Sequence, residues 1–299
     1  MKIALGTPKM ADYYTETECT WCDGCGDYGI WSAMRRACVE LEYHPHQVLM
    51  CFDIGCHGNM SDKIGGAYRV HGLHGRILPF AAGAKLANPK VHTLACGGDG
   101  ATFSEGINHL IHAIRSNYPI VFILHNNENY GLTKGQASAV TRQGNTMAPV
   151  INTSPNGIPE ATLNPMDLVF SLDPTFVARW HSGDIKQLTE LIKEGFQHDG
   201  FAYIDGLQAC PTYNKFLTSK FLRDHCYKVE EGKYDVNDFE TARKIAQDTT
   251  EKIATGILYR PEDARPSFLK RLKSREGRET SCVQEVEKQD ITELMKEFV

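Results

Sequence analysis

A chain of 299 residues with a net charge of −5 and an ordinary share of apolar residues is long enough for one large domain or two small ones. Its mild acidity leaves no electrostatic footprint for nucleic acid or a bilayer surface, and no apolar run is long enough to span a membrane. The first residues, MKIALGTPKMADYY, lack the apolar core of a secretion signal, which predicts a cytoplasmic protein. Ten cysteines in such a chain point to metal or redox chemistry before disulfides.

An irregular polar start is followed by a tight glycine-rich turn at 21–29, WCDGCGDYG, carrying Cys22 and Cys25. Ile30, Ala33, Met34, Ala37 and Leu41 recur at helical spacing and predict a helix over 30–41. Residues 48–52, VLMCF, read as a buried strand ending at a second glycine–cysteine turn, DIGCHGN (53–59). Residues 60–76 read as a loop rich in Gly and His, and 78–86 as a small-residue helix able to pack closely on a sheet. The stretch 94–136 reads as strand, glycine turn (97–100), helix, strand (120–124) and turn (125–131). A polar loop over 133–165 is long enough to be functional or mobile. Beyond it come a strand (176–179), an amphipathic helix (185–196) with an N-cap signal at Gly183–Asp184, and a strand (201–207) ending at the turn 208–214. This alternation predicts an α/β fold, a mostly parallel sheet with helices on both faces. From residue 216 charge rises and glycine turns vanish. That divides the chain into a domain over 1–215 and a polar extension over 216–299, packed on the domain or on a partner, with a short helix at 289–298.

In Gly97-Gly98-Asp99-Gly100 the glycines let the backbone turn sharply and approach a ligand. The helix start that follows, 101–104, would offer free N–H groups to a phosphate. Asp99 would then hold a divalent cation. Its carboxylate, the Asn127 amide oxygen and one backbone carbonyl suffice for Mg²⁺, which takes its remaining oxygens from phosphate and water. Twenty-five residues separate Gly100 from the Asn126-Asn127 pair, and that spacing is the thiamine diphosphate signature.

Cys22-x-x-Cys25 is shared by zinc, iron–sulfur and dithiol sites. It follows an irregular segment, unlike a thioredoxin-type pair. Cys56 and Cys210 end predicted strands of one sheet, so both can converge on one edge, and four thiolates alone leave zinc and iron–sulfur open. Cys38, Cys51 and Cys96 read as core residues, and Cys19, Cys226 and Cys282 lack a context that points to a role. His71 reads as a polar loop residue, and His109, His112 and His125 as core or surface residues.

These motifs together resemble the β subunit of the 2-oxoacid:ferredoxin oxidoreductases, the 2-oxoglutarate type above all. The resemblance rests on WCDGCGDYGI (21–30), DIGCHGN (53–59), GLHGR (72–76), GGDG (97–100), HNNENYGLTKGQAS (125–138), LQACPTYN (207–214) and the tail GILYRPEDARPSF (256–268). It implies the thiamine diphosphate-binding fold. It further implies a [4Fe–4S] cluster on Cys22, Cys25, Cys56 and Cys210, and Mg²⁺ on Asp99, Asn127 and the carbonyl of Asn129. The cofactor would be lined by Ile54, Gly55, Cys56, His57, His74, Gly98, Gly100, Ala101, Gly131 and Leu132, with His74 donating to the diphosphate. A partner α subunit, in a heterodimer or a dimer of heterodimers, would supply the activating Glu, so no catalytic acid is expected in this chain. The implied reaction is CoA-dependent oxidative decarboxylation of a 2-oxoacid, with electrons passing through the cluster to ferredoxin.

One departure bears on the substrate. Relatives using 2-oxoglutarate often carry a basic residue at the end of the GCxGx turn, where this chain has Asn59, a neutral amide without charge assistance. His57, Lys134, Arg69, Arg76 or the partner could compensate. Two other readings compete with the oxidoreductase: a non-redox thiamine diphosphate decarboxylase or carboligase, and a zinc-stapled binding module without catalysis.

Overall fold

The structure is a computed structural model that describes residues 6–145, 157–278, 280–286 and 290–296. Its first helix, α1 (Asp27–Glu40), leads into β1 (Val48–Phe52), the short α2 (Met60–Lys63), β2 (Tyr68–His71), α3 (Ile77–Ala87) and β3 (His92–Gly98). Then follow α4 (Ile107–Ser116), β4 (Val121–Asn126), α5 (Pro165–Phe170), β5 (Val177–His181), α6 (Ile185–Gln197) and β6 (Ala202–Leu207). The last part adds α7 (Ser219–His225), β7 (Cys226–Lys228), α8 (Phe239–Ala246) and β8 (Ile253–Tyr259). The strands form one sheet in the order β2-β1-β3-β4-β6-β5-β8-β7. β2 through β5 run parallel, and β8 lies antiparallel against β5.

Strand periodicity explains the two large core clusters, one on each face of the sheet. Successive side chains point to opposite faces, so in β1 Met50 joins one core cluster and Cys51 the other. On one face α1 (Ile30, Ala33, Met34, Ala37) and α6 (Leu188, Leu191, Ile192) cover Phe52, Leu94, Cys96 and Ile123. On the other, α3, α4, α5 and α8 cover Leu49, Ala95, Phe122 and Tyr203. The doubly covered, mostly parallel sheet is the architecture the alternating elements predict. Asp184 caps α6 as expected, its side chain accepting from Gln187 N at 2.9 Å.

Two segments differ from the sequence reading. Within 60–76 the chain forms α2 and the edge strand β2, which pairs with β1 from Leu49↔Tyr68 to Phe52↔His71. Tyr68, Arg69 and His71 are exposed, so no apolar alternation marks the strand. After residue 215 the chain supplies β7 and β8 to the same sheet. β8 is buried at all but one position, so this segment extends the core as well as the surface. Of the expected helix at 289–298, Thr292–Met295 is helical and residues 289 and 297–298 lie outside the described residues, as do 146–156 of the long polar loop.

A buried ion pair ties the C-terminal segment to the sheet. Arg179 Nε donates to Asp205 Oδ2 at 2.9 Å, and Arg179 Nη2 to the carbonyl of Ala246 at 3.0 Å. Asn126 Nδ2 completes Asp205 at 3.2 Å. Removing one partner leaves the other charge buried and uncompensated. Asp205→Ala is expected to lower stability by ~3–5 kcal/mol, read as a fall in the denaturation midpoint, with a smaller fall for Asp205→Asn.

The parallel strands end at one edge. Phe52 pairs with Cys96, Gly98 with His125, and Asn126 with Leu207. The turns after β1, β3, β4 and β6 therefore emerge side by side, where open α/β sheets bind ligands.

Candidate active site at the sheet edge

β3 ends in glycines because its neighbours leave no room for side chains. A Cβ on Gly97 would lie 2.8 Å from Thr102 Oγ1, one on Gly98 would lie 3.0 Å from His57 Cε1, and one on Gly100 would lie 2.3 Å from the Tyr130 ring. Gly100→Ala should therefore push Tyr130 out of the wall. We expect cofactor affinity to fall at least tenfold by calorimetry, with the fold retained by circular dichroism. The segment 101–104, expected to start a helix, makes a π-helical turn at Ala101–Glu105 before α4 begins. Such turns recur at functional sites.

Asp99 is 1% exposed. Its carboxylate accepts from Asn127 N at 3.3 Å and from the hydroxyl of Ser138. Burial outweighs these hydrogen bonds and pushes its pKa up to about 7. The turn facing it is compact: Asn129 N donates to Asn127 Oδ1 at 3.1 Å, and Asn129 Nδ2 to the carbonyl of Asn127 at 2.8 Å. A desolvated carboxylate beside amide and carbonyl oxygens is the donor set of a hard cation such as Mg²⁺. These residues fit the ion.

The residues expected to line the cofactor all line one cavity, from Ile54–His57 through His74, Gly98, Gly100 and Ala101 to Gly131 and Leu132. Asp99, Asn127, Asn129, Tyr130 and Thr133 complete its wall. His57 is buried, and its Nε2 has no hydrogen-bond partner. Burial, with His125 alongside, lowers its pKa well below the usual imidazole value, so it is neutral at pH 7. The residue belongs to the cavity wall, while Nε2 itself is sealed within the protein. The turn that carries His74 is fixed by buried Asp53, whose Oδ1 accepts from Ile54 N at 2.7 Å and Gly75 N at 2.8 Å.

Lys134 and Asn59 stand apart from this wall. Lys134 is exposed, with φ +82°, and Asn59 Nδ2 donates to Thr20 Oγ1 at 2.9 Å. His125 is buried, and its Nδ1 lies 2.9 Å from Asp27 Oδ1. The His57 ring lies over it, with centroids 4.8 Å apart. Asp27 has no role in the sequence reading. Its only signal is an acid inside a glycine–cysteine turn.

The cysteines Cys22, Cys25, Cys56 and Cys210 are free thiols on this edge. Burial pushes the Cys56 thiol up to about 12, with Asp27, Cys210 and Cys22 adding to the rise. Cys25 is raised further, by burial and by Asp27, whose Oδ2 lies 3.4 Å from its sulfur. A coordinated metal removes such protons outright. Cys56 thus stands close enough to Cys22 and Cys210 for their charged forms to raise its pKa. Among the described residues, no three His, Cys, Asp or Glu side chains are gathered tightly enough for a single ion. Cys56 also belongs to the cavity wall. Cys210 Sγ lies 4.0 Å from Asn129 Oδ1, so this thiol adjoins the candidate cation site.

Residues 53–206 match the family model of the thiamine pyrophosphate enzyme C-terminal TPP-binding domain, and 210–276 match that of the C-terminal region of the pyruvate ferredoxin oxidoreductase beta subunit. The sheet edge is thus that of a thiamine pyrophosphate enzyme. The chain is 37% identical over 262 residues to 2-oxoacid:ferredoxin oxidoreductase 1, subunit beta, of Aeropyrum pernix, which covers 84% of this chain and 80% of that one. It is 34% identical to the 2-oxoglutarate synthase subunit KorB of Methanocaldococcus jannaschii, over 75% of this chain and 84% of that one. A solved 2-oxoglutarate:ferredoxin oxidoreductase from Magnetococcus marinus, with 2-oxoglutarate, coenzyme A and succinyl-CoA bound, superposes with a TM-score of 0.85. That structure is 34% identical and covers 98% of this chain and 97% of its own. The chain belongs to the β subunits of the 2-oxoacid:ferredoxin oxidoreductases. No helix among the described residues is long and apolar enough to cross a membrane.

Proposed function

We propose that this β subunit, with an α partner, carries out CoA-dependent oxidative decarboxylation of a 2-oxoacid, 2-oxoglutarate first, and passes the electrons to ferredoxin. The observation that carries this reading is the position of Cys56. Its thiol belongs to the cofactor cavity wall and to the thiol group on the same edge. Bound thiamine diphosphate supplies the electron sink for decarboxylation, and a [4Fe–4S] cluster supplies a one-electron outlet.

This chain's residues bind and orient. Asp99, Asn127 and the Asn129 carbonyl hold Mg²⁺, which neutralises the diphosphate. The glycines at 98 and 100 let that group approach the backbone, and His74 donates to it. His57, neutral and buried, forms part of the cavity wall. Cys22, Cys25, Cys56 and Cys210 ligate the cluster. Leu132 at the cavity mouth is 49% exposed, and Leu73, beside His74, is 78% exposed. Apolar side chains at the rim suit a partner subunit that closes the site.

The 2-oxoglutarate assignment draws on the relatives that use or bind it. Asn59 and Lys134 stand outside the cavity wall, and this reading assigns the charge for a second carboxylate to the partner subunit. The test is an anaerobic purification with the α subunit, then ferredoxin reduction with CoA and a panel of 2-oxoacids. The fastest rate is expected with 2-oxoglutarate. No reduction with any 2-oxoacid would reject the reading, and a preference for pyruvate would reject the substrate alone.

A further inference from the structure

We infer that Glu128 and Arg142 are a positioning pair for the cation site, holding the turn 127–129 in the shape that brings its two ligating residues together. The inference rests on the reading of Asp99, Asn127 and Asn129 as Mg²⁺ ligands. Glu128 stands between the two asparagines with φ +58°, a left-handed conformation that a residue with a Cβ adopts only at a cost. Its effect is local and geometric. An extended residue at 128 would separate its neighbours by two strand steps, about 6.6 Å. The left-handed residue folds the chain back, so that Asn129 N meets Asn127 Oδ1 at 3.1 Å.

Something must hold that conformation, and the structure shows what does. Glu128 is 5% exposed. Arg142 grips it in a fork, Nε to Oε2 at 3.0 Å and Nη2 to Oε1 at 2.9 Å, the pairing that fixes direction as well as distance. Arg142 is anchored in turn. Its Nη2 donates to the carbonyl of Thr249 at 3.0 Å, and its guanidinium lies 4.3 Å from the centre of the Phe216 ring. Both anchors lie in the C-terminal segment. The main chain of the turn is pinned as well: Thr141 Oγ1 donates to the carbonyl of Glu128 at 2.7 Å, and Asn214 Nδ2 to the carbonyl of Asn127 at 3.0 Å. Ser138, whose N donates to Thr141 Oγ1 at 2.8 Å, reaches the Asp99 carboxylate with its hydroxyl. Neither Glu128 nor Arg142 lines the cavity. They act on the cation through the asparagines.

The experiment titrates Mg²⁺ into the metal-free αβ complex at saturating thiamine diphosphate, by calorimetry, for wild type, Arg142→Ala and Glu128→Gly. Glycine tolerates the positive φ but carries no side chain for the fork. Each variant is expected to need at least tenfold more Mg²⁺ for half-saturation. An unchanged Mg²⁺ requirement would overturn the inference, even with a lowered melting temperature, because a purely structural ion pair moves the melt and not the titration. Should Arg142→Ala fail to assemble, Arg142→Lys takes its place. It keeps the charge but loses the fork, and the same direction is expected. If wild type itself shows no Mg²⁺-dependent cofactor binding, the cation-site reading fails, and the inference falls with it by a separate observation.

Discussion

Replacing Cys56 by serine in the anaerobic αβ complex is expected to strip its broad visible iron–sulfur absorbance and to cut 2-oxoacid-dependent ferredoxin reduction by more than ~100-fold, the upper end of what outer partners of a metal site contribute. The argument starts from position. Cys56 opens the turn after β1, where the Gly55 backbone bends at φ +152°. The turn places the sulfur 3.3 Å from where a Cβ of Gly131 would stand, between the cofactor cavity and the thiols of the neighbouring turns. Burial and its charged neighbours keep the metal-free thiol protonated at neutral pH, so it becomes a thiolate when it coordinates. Serine removes a soft ligand that iron–sulfur centres select. The variant should still bind thiamine diphosphate, because the rest of the wall is untouched. The outcome separates the competing readings. A non-redox thiamine diphosphate enzyme would keep its activity in Cys56→Ser. A zinc-stapled module would be colourless in wild type and would lose zinc in the variant.

Much of this site is legible in the chain because parallel α/β sheets read locally. The runs 48–52 and 120–124 are apolar and short, each ends in turn residues, and the edge onto which they open follows from topology. Family and fold therefore emerge from motifs placed at strand ends. What escapes is non-local. The edge strand β2 shows exposed Tyr68, Arg69 and His71, and an edge needs no apolar alternation. β8 carries an apolar run, IATGILY, but its partner β5 lies more than seventy residues upstream, so nothing nearby announces the pairing. Asp27 meets His125 across 98 residues, and Arg142 meets Thr249 across 107. Such contacts are set by packing. No periodicity or spacing within either segment encodes them. Lys134 and Asn59 show the converse: both sit in motif segments, and local sequence could not tell that one faces solvent and the other is tied to Thr20.

Asp99 should make Mg²⁺ binding steeply dependent on pH. In the metal-free protein its carboxyl is fully buried, and desolvation pushes its pKa up to about 7. Only the ionised form ligates a hard cation, so proton and Mg²⁺ compete for it. Above pH 7 the Mg²⁺ affinity of the αβ complex, titrated with thiamine diphosphate present, is expected to be flat. Below pH 7 it should fall about tenfold per pH unit, with one proton released per ion bound near pH 6. Asp99→Asn should lose this slope and weaken Mg²⁺ at least 100-fold at pH 8, since a neutral amide replaces the one anionic ligand. The same shift has a stability counterpart of fixed sign. A carboxyl whose folded pKa is raised from 3.8 to about 7 binds its proton more tightly when folded. Its contribution to the cation-free protein is full below pH 4 and is lost as pH rises through 7. Saturating Mg²⁺ and thiamine diphosphate should therefore raise the melting temperature most above pH 7, where the carboxylate stands buried and unpaired without them. A melting-temperature gain that does not depend on pH between 5 and 8 would place the cation on other groups.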